Sequence, residues 1–248
     1  TKGLDSILKL IWNIAKIQIH RGMDKSNGSN WGAYVELGSG PYATVYKAGY
    51  NAVKVYNSSQ LESAVREILI LRSCDCPRIV TVQDVKYHDE SIELFMPYIG
   101  LDLHEYLGAL PVSAHSWEMV ESFAHDLLIA VSWIHNRGFI HGDIKPSNVL
   151  VDASRWGEKY PKLVLCDFGI SLLADEPDHS GSVQTSTYRA PEVRFGVTTH
   201  HSQAIDMWSV GCVVFETVTL ESFAVFHAGF AHERTESMHY ARIGFRFD

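Results

Sequence analysis

The sequence is poor in cysteine, short of basic charge and without a long apolar run, and each shortage closes off a class of protein. Four cysteines among 248 residues, Cys74, Cys76, Cys166 and Cys212, are too few and too scattered for a disulfide framework. A reducing, intracellular compartment, cytoplasmic or nuclear, is expected. Cys74-Asp75-Cys76 has no matching His/Cys pair at ligand spacing, so it reads as two loop thiols rather than half of a metal site. A net charge of −8 leaves no basic excess for general nucleic-acid binding. No apolar run reaches the roughly 20 residues that a membrane span requires, so no transmembrane segment is expected. The first residues, beginning with Thr1, do not read as a secretory leader.

What remains is ordinary for a globular enzyme: 46% hydrophobic and 20% charged residues. Residues 4–19 carry Leu4, Ile7, Leu8, Ile11, Ile14 and Ala15 at helical spacing, which predicts an amphipathic helix that packs on the main domain or docks a partner. Asp24 to Trp31 is polar and rich in Gly, Ser and Asn, and reads as a linker. From Tyr34 to Tyr98 short strand-like runs are bounded by Gly and Asn turns, with one helix from about Gln60 to Arg72. After Tyr98 helices dominate. Trp117 to Asn136 is apolar on one side and stops before Arg137-Gly138, and Gln203 to Thr219 is apolar enough to be buried. Strands with one helix, followed by mostly helices, predict an α+β fold.

The chemistry concentrates in His141-Gly142-Asp143-Ile144-Lys145-Pro146-Ser147-Asn148, followed by Asp167-Phe168-Gly169. An acid, an amine and a carboxamide share one short loop, and a second acid follows at a strand end. Phosphoryl transfer needs such a set: one carboxylate for the proton of the attacking hydroxyl, and oxygen donors for Mg²⁺ against nucleotide phosphates. Upstream, Gly38-Ser39-Gly40-Pro41-Tyr42-Ala43-Thr44-Val45 lies between two strands, and Ala52-Val53-Lys54 sits on the next. Downstream come Thr185-Ser186-Thr187-Tyr188-Arg189-Ala190-Pro191-Glu192 and Asp206-Met207-Trp208-Ser209-Val210-Gly211.

In this order the motifs resemble those of eukaryotic protein kinases of the serine/threonine type, over about residues 32–220. Tyr188 to Glu192 is similar to the group containing cyclin-dependent, mitogen-activated and dual-specificity Tyr-regulated kinases. The resemblance implies a two-lobed protein kinase fold: residues 1–31 as helix and linker, 32–97 as a small antiparallel β lobe with one helix, and 98–248 as a mainly helical large lobe. It implies ATP and Mg²⁺ as cofactors, a protein substrate and a regulatory protein partner. Asp143 would accept the substrate proton, Lys145 would stabilise the transferring group, and Thr185 would bond both. Lys54 would anchor the nucleotide phosphates, oriented by Glu67, with Glu62 as the alternative close to Lys54 along the chain. Asn148 and Asp167 would hold the metal. Leu37, Gly38, Gly40, Val45, Ala52, Lys54, Met96, Pro97, Ile99 and Leu150 would line the nucleotide site, with Met96 as gatekeeper and Pro97 and Ile99 in a hinge spanning Met96 to Leu101. Asp206 would bond backbone N–H groups near His141. The implied function is transfer of the ATP γ-phosphoryl group to Ser/Thr hydroxyls; a catalytically impaired kinase-like nucleotide-binding or scaffold module is the alternative.

Two departures from the family pattern carry expectations. Gly142 stands where many members have an Arg that pairs with a phosphorylated activation-segment residue, so activity here is expected not to require phosphorylation at Ser180 or Ser182. After the apolar helix only residues 221–248 follow. The resemblance therefore predicts a C-terminally truncated large lobe, a buried Glu192 without its usual arginine and a domain less stable than a complete one.

Overall fold

The computed structural model describes residues 19–21, 34–88, 91–154, 158–174, 183–197 and 199–221. The helix expected at residues 4–19 and the linker at 24–31 lie outside the described residues, apart from Ile19, which opens a strand instead.

A six-stranded sheet forms the first half. Its strands are β1 (Ile19–Arg21), β2 (Val35–Ser39), β3 (Thr44–Ala48), β4 (Asn51–Asn57), β5 (Asp84–His88) and β6 (Ser91–Pro97), in the order β1-β5-β6-β4-β3-β2. All neighbours are antiparallel except β1, which runs parallel to β5 at the edge. Helix α1 (Leu61–Arg72) follows β4 and buries Ala64, Glu67, Ile68 and Leu71. The register decides which residues share a face. Val45 lies opposite Lys54, Ala52 opposite Met96 and Lys54 opposite Leu94. Because side chains alternate with period two, Val45, Ala52, Lys54, Tyr56 and Met96 all project from the same side of the sheet.

Beyond β6 the chain turns helical. Helix α2 (Leu103–Ala109) starts at Asp102, whose carboxylate accepts from Glu105 N at 2.8 Å while the Glu105 carboxylate accepts from Asp102 N. Helix α3 (Trp117–His135) is capped by Ser116 and is followed by Gly138 at φ +78°, a left-handed stop that only glycine takes without strain. The short strand β7 (Phe139–Ile140) leads into the loop at 141–148. Then β8 (Val149–Asp152) and β9 (Lys162–Leu165) form a hairpin, and β10 (Leu172–Leu173) returns to pair with β7. Helix α4 (Pro191–Arg194) and helix α5 (Ala204–Thr219) complete the described chain. One hydrophobic core runs continuously from Tyr56 and Ile68 through Leu103, Phe123 and Phe168 to Val213. A smaller cluster joins Ile140, Val183, Ala190 and Ile205.

Helix α5 is less completely buried than its composition predicts: Met207 and Val218 are exposed, while Ile205, Asp206, Ser209 and Val213 are buried. Glu192, expected to be buried, is half-buried. No described helix is long and apolar enough to cross a membrane.

Candidate active site

The β8–β9 hairpin fixes the geometry at its open end. Cys166 N donates to Asn148 O at 2.9 Å, extending the ladder one residue past both strands. Asn148 and Asp167 therefore flank the same end. The neighbouring Cys166 thiol is pushed up by burial and stays protonated, donating to the same carbonyl at 3.3 Å. Asp167 sits at φ +67°, a left-handed conformation that Asp tolerates better than most residues. Phe168, one residue on, is buried in the core and packs edge-on against His141 at 4.7 Å between ring centroids.

Three charged groups from distant parts of the chain meet beside it. Lys54 Nζ lies 2.7 Å from Asp167 Oδ1 and 2.9 Å from Glu67 Oε2. The partner of Lys54 is thus Glu67; Glu62 is exposed and pairs with Arg66 instead, at 2.7 Å. Burial alone would lower the Lys54 pKa, but the carboxylates of Asp167 and Glu67 drive it well above the ordinary lysine value. For Asp167, burial would raise the carboxyl, and the Lys54 ammonium outweighs it and holds it below the usual carboxylate range. Glu67 is fixed further by two groups. Phe168 N donates to Oε1 at 3.1 Å, and the Tyr56 hydroxyl donates to Oε2. Arg66 Nη1 donates to Gly169 O at 3.0 Å, so two successive residues of α1 hold the Asp167-Phe168-Gly169 turn.

The second half of the site is built on the 141–148 loop. Asp206, buried at the start of α5, accepts from His141 N at 2.7 Å, Gly142 N at 2.9 Å and His135 Nε2 at 2.9 Å. One carboxylate thereby sets the loop's backbone, as the resemblance implies. Asp143 then presents its carboxylate to three neighbours. Oδ1 accepts from Thr185 Oγ1 at 2.6 Å and Thr185 N at 3.1 Å; Oδ2 accepts from Asn148 Nδ2 at 3.0 Å and lies 2.8 Å from Lys145 Nζ. Lys145 Nζ also donates to Thr185 Oγ1 at 3.0 Å.

The donor set at the hairpin end fits a hard divalent cation. Asn148 spends its amide nitrogen on Asp143, which leaves the carboxamide oxygen as its ligand atom. Lys54 and Gly169 N both engage Oδ1 of Asp167, which leaves Oδ2. Two oxygens of this kind suit Mg²⁺, which prefers one or two protein oxygens beside phosphate and water.

The residues expected at the nucleotide are distributed around one sheet face and the segment after β6. Val45 and Ala52 are half-buried on the Lys54 face, and Met96 is buried opposite Ala52. Val151 N donates to Leu101 O at 2.9 Å and Asp102 bridges to Leu150, which ties the stretch carrying Pro97 and Ile99 to β8. Leu37, Gly38 and Gly40 lie exposed on β2 and its turn, closed by Gly40 N to Ala43 O at 2.9 Å. The β2–β3 register shifts between Glu36 and Gly38, a bulge beside the turn.

Sequence reasoning did not find Tyr56, Arg66, His135, Gln184 or Arg189. Tyr56 carries a legible signal in hindsight: it stands two residues past Lys54 on the same strand and so on the same face. Arg66, His135 and Gln184 act through contacts between residues far apart in the chain, and Arg189 through a turn of five residues back to Gln184 O; no local pattern announces any of them.

A family model described as protein kinase domain matches residues 31–243. Among curated relatives, cyclin-dependent kinase 14 of Oryctolagus cuniculus is 36% identical over 195 residues, covering 74% of this chain and 40% of the relative. The same kinase of Homo sapiens is 35% identical over 195 residues, again 74% and 40%. Cyclin-dependent kinase 17 of Caenorhabditis elegans is 33% identical over 195 residues, covering 74% of this chain and 28% of the relative. The chain thus spans about two fifths of the length of the first of these relatives. A match over most of the chain, on residues that the fold brings together in this way, means that the chain belongs to the protein kinase family.

Proposed function

We propose that the chain is an ATP-dependent protein kinase that transfers the γ-phosphoryl group to Ser/Thr hydroxyls of protein substrates. The observation that carries this reading is the simultaneous assembly of both halves of the site, Lys54–Glu67–Asp167 and Asp143–Lys145–Thr185. In this reading residues 32–97 form the small lobe and 98–248 the large one, and the enzyme works in the cytoplasm or nucleus.

Each residue then has a role that its surroundings support. Asp143 orients the substrate hydroxyl and takes its proton as the oxygen attacks the γ-phosphorus. Lys145, beside Asp143, stabilises the charge on the transferring group. Thr185 holds both in register. Lys54 anchors the α- and β-phosphates, and Glu67 with Tyr56 keeps its ammonium in place. Val45, Ala52, Met96 and Leu150 supply apolar surface for the adenine, with backbone groups of Pro97 and Ile99 for its edge; Leu37, Gly38 and Gly40 cover the phosphates. Mg²⁺, bound through Asn148 and Asp167, would neutralise phosphate charge. The relatives are named for dependence on cyclin, and a regulatory protein partner belongs to the same reading.

The test is Asp143→Asn against wild type, with ATP, Mg²⁺ and a generic basic protein substrate. Transfer should fall by about 10²–10⁴-fold. Equal rates would remove Asp143 from the mechanism.

A further inference from the structure

Gln184 is buried, lies one residue before Thr185, and sits at φ +62°, a left-handed conformation that a glutamine side chain disfavours. Such a residue persists only where its surroundings over-determine it, and here every polar group of Gln184 is engaged. Its N–H donates to Gly142 O at 2.7 Å. Its carbonyl accepts from Arg189 Nη2 at 2.7 Å and Nε at 3.2 Å. The side-chain Nε2 donates to Ile205 O and Ser209 Oγ, both at 2.8 Å, and Oε1 accepts from Ala190 N at 2.9 Å. Ser209 Oγ passes the connection on to Tyr188 O at 2.8 Å. One residue therefore joins the catalytic loop, the buried helix α5 and both ends of the 184–190 turn.

Gly142 has no side chain with which to grip a phosphate. We propose that Gln184 is the positioning residue that does the holding in its place. Its amide is a latch that needs no phosphate and keeps Thr185 against Asp143. The inference rests on the kinase reading of the site. It predicts a segment that is already set in the unmodified protein, with Ser209 as the fixed point on α5.

The experiment compares wild type, Gln184→Gly and Gln184→Glu, all treated with a nonspecific phosphatase. Glycine relieves the left-handed backbone while deleting the amide. Glutamate keeps the volume and the acceptor for Ala190 N but replaces the two donors facing Ile205 O and Ser209 Oγ. Amide hydrogen exchange over residues 183–190 and steady-state transfer at varied ATP and varied protein substrate are measured. Wild type should stay protected and active after phosphatase treatment. In both variants exchange over 183–190 should rise and kcat should fall, each by about tenfold or more, with KM for ATP and exchange in α5 unchanged. A merely structural role would loosen α5 as well, and that result overturns the proposal. So does a variant that keeps both slow exchange and wild-type kcat, or a wild type that loses protection on dephosphorylation. Should Gln184→Gly not fold, Gln184→Glu decides alone. A wild type that transfers no phosphate defeats the kinase reading, while the exchange pattern still decides whether Gln184 holds the segment.

Discussion

The two halves of the site are held by different forces. Where the two lobes meet, Lys54, Glu67 and Asp167 are pinned by opposite charges around a buried ammonium. On the large-lobe side, Asp143 and Thr185 are placed by a scaffold of backbone N–H groups collected by Asp206 and by the neutral amide of Gln184. The first half is sensitive to the loss of a charge, because Glu67 stays buried when its cation is removed. The second is sensitive to the loss of geometry, because each hydrogen bond fixes a segment rather than neutralising a neighbour.

The sharpest break is on the charged side. Lys54→Met leaves Glu67 buried without its cation, and breaking a buried pair in this way costs about 3 kcal/mol. Transfer should drop by about 10²–10³-fold, with denaturant titration reporting the stability and a phosphate-transfer assay the rate. The matching break on the other side is Asp206→Asn. An amide nitrogen would then face N–H groups that now meet a carboxylate, at a cost of about 2–3 kcal/mol. Faster amide exchange at His141 and Gly142 would locate the damage; unchanged exchange there would remove Asp206 as the loop's anchor.

A smaller effect is expected at Tyr56. Tyr56→Phe removes one bond to Glu67 and should cost about 1 kcal/mol, since Glu67 keeps Lys54 and Phe168 N. It also changes the pH response. Burial first, and then the Glu67 carboxylate, raise the Tyr56 hydroxyl above its ordinary value near 10. A pKa raised on folding gives stability that is complete below the unfolded value and is lost as pH rises through the folded one. Wild type should therefore lose stability more steeply above pH 10 than the phenylalanine variant in parallel thermal melts. The smallest effect is the most discriminating. Ser180→Ala combined with Ser182→Ala should leave transfer unchanged, and abolished activity would return the segment to phosphate control.

How much of this the sequence announced follows the same division. Residues whose chemistry is carried by local order were legible: Asp143 with Asn148 on one loop, Asp167 before Phe168, Lys54 within a strand. So were α1 and α3, through helical spacing and a glycine stop. Asp206 and Glu67 were legible through the motifs that carry them, whereas Tyr56, His135 and Gln184 were not. Gln184 reads as an ordinary polar residue until the fold brings Ile205, Ser209 and Gly142 around it. Three residues of β1 carry too short a pattern to mark a strand, and their parallel pairing with β5 joins segments more than sixty positions apart. Exposure of Met207 and Val218 on α5 was equally invisible, because composition gives the apolar content of a helix but not what covers each side of it.

Gly142 has a consequence for what a substitution there can achieve. It rests at φ +77°, and a Cβ there would come within 3.4 Å of Ile170 O and 3.6 Å of Val183 Cγ1. Any larger L-residue would carry a left-handed penalty of about 1–2 kcal/mol. An arginine introduced at 142 would incur that strain immediately and gain nothing until a phosphate was written on the neighbouring segment. The position therefore resists a single substitution toward phosphate control, because the strain arrives before any phosphate contact can offset it.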